Sequence, residues 1–340
     1  MMSGKKYRII FKRFAPLIAG IFFMLFVSFE SGCKHNYAEE QNVNADSTKT
    51  ILASLLEKDD SWKAPDTLLI PKNDSGNLIL YGRSLIAHTS EYFGPRGSIG
   101  HFTNGMNCQN CHLDAGTKPY GNNYSAVAST YPKFRARSGS IESIEKRVND
   151  CLERSLNGKG IDSTSKEMRA IVAYIKWVGH DVKKGVIPQG AGIVNISFLK
   201  RAADSEKGNL IFQQKCVSCH SKDGQGKFNN DMKSYQYPPL WGDHSFNTGA
   251  GLFRLSRFAG YIKANMPFIT SAENPMLTNE EAWDLAAYIL SKPRPGEDIS
   301  NDWPDTSKKP FDHPFGPYKD QFSESQHKFG PFGEMASARK

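Results

Sequence analysis

The chain has no long run of lysine and arginine, no low-complexity tract and no apolar stretch long enough to cross a bilayer comfortably. The first absence argues against a nucleic-acid footprint, and the last against a multispanning membrane protein. Hydrophobic residues make up 39% and charged residues 23%, close to globular averages, so a disordered chain is excluded as well. The formal charge of +8 is less basic than it looks, because Lys5, Lys6, Arg8, Lys12 and Arg13 lie in the first 32 residues against Glu30 alone, and removing them leaves +4. Cysteine is also scarce. There are six in 340 residues, and four are spoken for by two short motifs, which leaves no disulfide framework to build.

The N-terminus has a basic stretch followed by the apolar run 15–29, the pattern of an export leader. Ser31 and Gly32 then precede Cys33, as at a bacterial lipoprotein cleavage site, where the cysteine becomes the lipid-bearing N-terminus. The expectation is a lipoprotein-type signal peptide over 1–32, lipidation at Cys33, a tether and extension over 33–75, and a location in the periplasm of a Gram-negative bacterium, anchored to the membrane. An uncleaved leader with an incidental Cys33 is the alternative.

The motifs are Cys108-Gln109-Asn110-Cys111-His112 and Cys216-Val217-Ser218-Cys219-His220. Two thiols at this spacing add across the vinyl groups of a haem, and the adjacent histidine reaches the iron, so the spacing is strict. The cofactors implied are two covalently bound haems c, attached through Cys108 and Cys111 and through Cys216 and Cys219, with His112 and His220 as proximal ligands. Their propionates, about four carboxylates, bring the holoprotein near neutrality.

The motifs sit in an internal repeat. Gly76-Asn77-Leu78-Ile79 is echoed by 208–211, and the helical segment 170–175 by 284–289. Each half therefore runs helix, haem motif, loops, closing helix. The fold class is all-α, two class I cytochrome c domains in tandem: 76–186 and 204–297, joined by a glycine-rich connection over 183–195 with the linker set at 187–203, and followed by an extended, surface-wrapping tail over 298–340. On this register the first half carries about 24 extra residues before its haem motif, since Ile79 to Cys108 is 29 positions and Ile211 to Cys216 is 5.

The sixth ligands separate the two halves. Met266, 22 residues before Tyr288, occupies the usual methionine position, with Met232 and Met276 as competitors. The first half has no methionine between His112 and Met168, but Cys151 stands 23 residues before Tyr174. Cys151 is thus either a haem thiolate or a buried free thiol. A helix read over 140–157 puts Arg147, Cys151 and Ser155 on one stripe, with Arg135 and Arg137 just upstream. A guanidinium beside a thiol favours the thiolate and offers a fork to an oxyanion.

With 107–112 followed by Arg147-Val148-Asn149-Asp150-Cys151-Leu152-Glu153-Arg154-Ser155, the chain closely resembles dihaem thiosulfate dehydrogenases of the TsdA family, over roughly 76–297 and again at 327–332. The resemblance implies an oxidoreductase that interconverts two thiosulfates with tetrathionate and two electrons, at a haem held by His112 and Cys151. Arg137, Arg147 and Ser155 would line the substrate pocket, and a His220/Met266 haem would pass electrons to a carrier cytochrome or other redox partner. Apart from the resemblance, the mechanism expected is that Cys151 leaves the iron and forms a transient covalent adduct with one substrate. Asn265 stands where some members have lysine beside the methionine. Two other functions are weighed: a non-catalytic dihaem electron carrier, which leaves the Cys151 stripe without a use, and a SoxA-type haem-thiolate sulfur carrier, which needs partner subunits.

Overall fold

A computed structural model describes residues 62–339; the leader, Cys33 and the rest of the chain up to residue 61 lie outside the described residues. Six helices of eleven to fourteen residues carry the fold: α1 (Asp74–Ala87), α2 (Ile144–Arg154), α3 (Lys166–Val178), α4 (Ser205–Lys215), α5 (Leu255–Asn265) and α6 (Asn279–Leu290). Side-chain caps mark the start of five of them: Asn73, Ser143, Ser165, Asp204 and Thr278 accept from the first free backbone amides. Thr278 completes a capping box with Glu281. Among the described residues the six helices are joined by shorter helices and by two small antiparallel hairpins, β1 (Lys133–Arg135) with β2 (Ser140–Glu142) and β3 (Lys227–Phe228) with β4 (Tyr235–Tyr237). The architecture is that of two tandem cytochrome c domains. Among the described residues no helix is long and apolar enough to cross a membrane.

The helix read over 140–157 is shorter than expected. Residues 140–142 pair with β1, and Ser143 accepts from the Lys146 amide, so the helix begins at Ile144. A strand partner supplied from residues 133–135 outweighs the local helical pattern, while Arg147 and Cys151 keep their shared face.

In each half the two long helices pack on one another, α1 on α3 and α4 on α6. A glycine makes each approach possible. A Cβ on Gly82 would lie 1.9 Å from the Ala170 carbonyl oxygen, and one on Gly208 2.0 Å from that of Asp284, with Tyr174 and Tyr288 next in line. The repeat therefore aligns Gly82, not Gly76, with Gly208. The four-residue echo at Gly76 is a local likeness. Gly76 instead abuts the Pro71 carbonyl. On the packing register Gly82 to Cys108 is 26 positions and Gly208 to Cys216 is 8, so the insertion is 18 residues rather than about 24.

The insertion holds the first haem motif and bridges to the second half. Its short helix Thr89–Phe93 begins beside the motif, and Asn104 Nδ2 donates to the Ser245 carbonyl at 3.1 Å. The linker is docked on both sides: the Tyr120 amide donates to Gly190 O at 2.7 Å, and the Trp283 indole to Ser197 O at 3.0 Å. The tail, expected on the surface, buries Phe332, Met335 and His327 in the second core. His327 stacks on Tyr318 with centroids 3.5 Å apart, and its Nε2 faces Asp320 at 3.0 Å. These buried residues share no period because His327 comes from one six-residue helix and Phe332 and Met335 from another, separated by Gly330 and Pro331.

Candidate functional site

The first motif is bolted to the end of α1. The Cys108 amide donates to Thr89 Oγ1 at 3.0 Å, Gln109 Nε2 to Ala87 O at 2.7 Å, and the Ser90 amide to Asn107 Oδ1 at 2.8 Å. His112 Nδ1 lies 2.5 Å from the Asn122 carbonyl oxygen. A carbonyl can only accept, so Nδ1 carries the proton and the Nε2 lone pair is left for a metal. The second motif repeats the device, with His220 Nδ1 2.9 Å from Pro238 O. Tyr124 stacks on the His112 ring at 4.7 Å and fixes its plane.

Cys151, on α2, stands within hydrogen-bonding reach of the His112 imidazole. Burial pushes its thiol up, but its charged surroundings, the Arg147 guanidinium first among them, bring it down to about 7. The neighbouring thiols behave in the opposite way: burial pushes Cys108 up to about 11 and Cys111 up to about 12. Three thiols share one electrostatic neighbourhood, and only Cys151 is poised as a thiolate. The pairing is mutual, since Cys151 is the chief cause that raises the Arg147 pKa above its ordinary value.

Ser155 caps the C-terminus of α2, its amide donating to Cys151 O at 2.9 Å, so it follows Cys151 by one turn as the helical spacing requires. Arg137 lies in the β1–β2 turn. Its Nη1 donates to Gly249 O at 3.0 Å, its Nε is 3.9 Å from Asp302, and burial, with Arg154 and Arg147 close by, lowers its pKa to about 10. Cys151, Arg147 and His112 are thus brought together, with Ser155 on the same face and Arg137 near enough to feel the charge of Arg147.

In the second half Cys216, Cys219, His220 and Met266 line one cavity of about 580 Å³, walled by Phe246, Phe258, Leu285 and other apolar residues. Met266 is the first residue after α5. Met276 and Met232 are half exposed and do not line this space. Asn110 and Cys111 form part of the same wall, so the two motifs are neighbours. Tyr261 Oη donates to Asn110 O at 3.1 Å and Asn265 Nδ2 to Tyr120 O at 3.1 Å, which ties the methionine-bearing helix to the first motif.

The residues fit a covalently attached haem in each half. The motif cysteines form no disulfide, both histidines present an unprotonated Nε2, and the second half holds a largely apolar cavity with a thioether on its wall. His112 with Cys151, and His220 with Met266, are the donor sets available to the two irons.

Three residues at the site were not anticipated. Arg154 forms a two-bond fork with Asp302, at 2.7 and 2.9 Å. Trp303 packs over Arg137, and its amide donates to Arg137 O at 2.7 Å. Arg154 lies one turn from Cys151 and two from Arg147 in the helical pattern and could have been found there. Asp302 and Trp303 sit in an aperiodic tail that gives no local signal.

Comparisons with known proteins bear on this geometry. A family model described as "SoxA/TsdA, cytochrome c domain" matches residues 100–183, and one described as "Cytochrome c" matches 205–293. A thiosulfate dehydrogenase from Psychrobacter arcticus is 37% identical over 243 residues, covering 71% of each chain. One from Allochromatium vinosum is 35% identical over 235 residues, covering 68% of this chain and 83% of the other. Among solved structures, thiosulfate dehydrogenase (TsdBA) from Marichromatium purpuratum superposes with a TM-score of 0.65 at 27% identity, over 74% of this chain; the match spans about half, 52%, of that longer chain.

Proposed function

The chain belongs to the thiosulfate dehydrogenase family of dihaem cytochromes c, and on that premise we propose that it joins two thiosulfates into tetrathionate, releasing two electrons, at a site built around Cys151. The observation that carries this reading is the position of Cys151 between the His112 imidazole and the Arg147 guanidinium, with its thiol drawn down to about 7. We propose His112 and Cys151 as the ligands of the first haem and His220 and Met266 as those of the second. The anchored Nδ1 atoms and the cavity shared by His220 and Met266 support this assignment.

Each haem, when bound, accepts one electron at a time, so two haems match the two electrons of one turnover. The remaining work falls to side chains. Two dianions must meet in a partly buried space, where their repulsion is prohibitive without counter-charge; Arg147 and Arg137 supply it, and Ser155 offers a hydroxyl on the same face. The Cys151 thiolate forms a sulfur–sulfur bond to the outer sulfur of one thiosulfate as two electrons leave. The second thiosulfate attacks that same outer sulfur, the bond to Cys151 breaks, and tetrathionate departs with the thiolate restored. The contact between the first motif and the Met266 helix gives the electrons a short exit toward a carrier protein.

Purified holoprotein mixed with thiosulfate and ferricyanide is expected to form one tetrathionate per two thiosulfates. The same protein with tetrathionate and a reduced dye reports the reverse direction. Inactivity in both assays would reject the reading.

We further propose a periplasmic protein held to the membrane by lipid on Cys33; the basic and apolar leader and the Ser31-Gly32-Cys33 junction support it. The mass of the mature N-terminus should show acyl chains on Cys33, and an unmodified cysteine, or a chain that still carries residues 1–32, would exclude the anchor.

A further inference from the structure

We propose that Trp303, carried in by the C-terminal tail, is a substrate-binding residue whose indole N–H acts with the Nε–H of Arg137 to receive sulfonate oxygens of thiosulfate. The proposal deepens the functional reading above and rests on it.

Both donors are buried and have no hydrogen-bond partner within the protein. Native structures satisfy nearly every such group with protein, water or ligand, so two orphans on touching side chains point to a missing acceptor. They do touch: the Arg137 guanidinium carbon is 5.7 Å from the Trp303 ring centroid, and Trp303 is 8% exposed.

The backbone is committed to this arrangement. Trp303 has φ 61°, in the left-handed region that bulky side chains avoid. Such strain persists where surroundings over-determine it, and here they do. The Trp303 amide donates to Arg137 O, Asp302 just before it is clamped by the Arg154 fork, and His313 packs edge-on against the indole at 5.8 Å. The indole is thereby held against Arg137.

The local charge selects an anion as the acceptor. The carboxylates at hand are already engaged, Asp302 by Arg154 and Asp312 by Arg254 and Ser256. Arg137 keeps only a contact of 3.9 Å with Asp302, too long for a hydrogen bond. His313 reports the field: burial, then Lys309, Arg137 and Arg254, hold its pKa down to about 4, so it adds no charge of its own at neutral pH. A sulfonate carries three oxygens on one sulfur and can take two donors from adjacent side chains at once.

Trp303→Phe keeps an aromatic ring beside Arg137 and His313 and removes the N–H together with part of the indole. In thiosulfate oxidation with ferricyanide, loss of one charge-assisted hydrogen bond is expected to raise KM about tenfold with kcat changed less than about twofold. Two haems per chain and an unaltered absorption spectrum should accompany the change. Arg137→Lys, which keeps the charge and removes the Nε–H, is the second arm. If the two donors share one sulfonate, the double variant should lose less than the product of the single losses. An unchanged KM in Trp303→Phe, or losses that multiply independently, overturns the proposal. A wild-type protein inactive in both directions counts against the functional reading instead.

Discussion

Cys151→Ala is expected to retain both haems and to lose thiosulfate oxidation by at least about a thousandfold, the scale on which removal of a covalent nucleophile is felt. Haem retention follows from the attachment chemistry. The thioether positions we propose are Cys108, Cys111, Cys216 and Cys219, and both histidines are oriented by backbone carbonyls that the substitution does not touch. Loss of activity follows because Cys151 is the one thiol of the first half not committed to haem attachment, so with Cys108 and Cys111 bound as thioethers no neighbour can take its place. The measurement is haem content per chain, an absorption spectrum and a steady-state rate on the same preparation. The spectrum should change for one haem only. Thiosulfate oxidation at the wild-type rate in a protein with both haems would remove Cys151 from the mechanism.

Arg147→Gln is expected to lower kcat/KM for thiosulfate by about a hundredfold, the equivalent of one forked, charge-assisted contact. Arg147 faces Cys151, Tyr131 and Glu142, and it lies on the helix face shared with Cys151 and Ser155. Removing its charge takes away both the closest cation to the thiol and a counter-ion for the substrate dianions. Arg147→Lys should recover only part of the loss, because an ammonium carries the charge but cannot present two parallel donors to a sulfonate. Haem content should be unchanged in both variants. Equal kcat/KM in wild type and Arg147→Gln would place the substrate elsewhere, and full recovery by lysine would mean that charge alone matters.

The two covalently bound haems and the all-α tandem architecture were legible in the chain itself. Each rests on a short-range rule. Thioether attachment demands a fixed spacing of two thiols and a histidine, and a buried helix declares itself by its period. The stripe of Arg147, Cys151 and Ser155 was readable for the same reason, although the helix beneath it proved shorter. The true register of the repeat was not. It depends on which glycine lets two helix backbones meet, and Gly82 rather than Gly76 does so because Ala170 lies across from it. Nor was the closure of the site by the tail, since Asp302 and Arg154 are 148 residues apart and no periodicity links them. The covalent chemistry of this protein is thus written locally in its sequence. The counter-charges and donors that surround it come from distant segments, and only the packing of those segments decides where they stand.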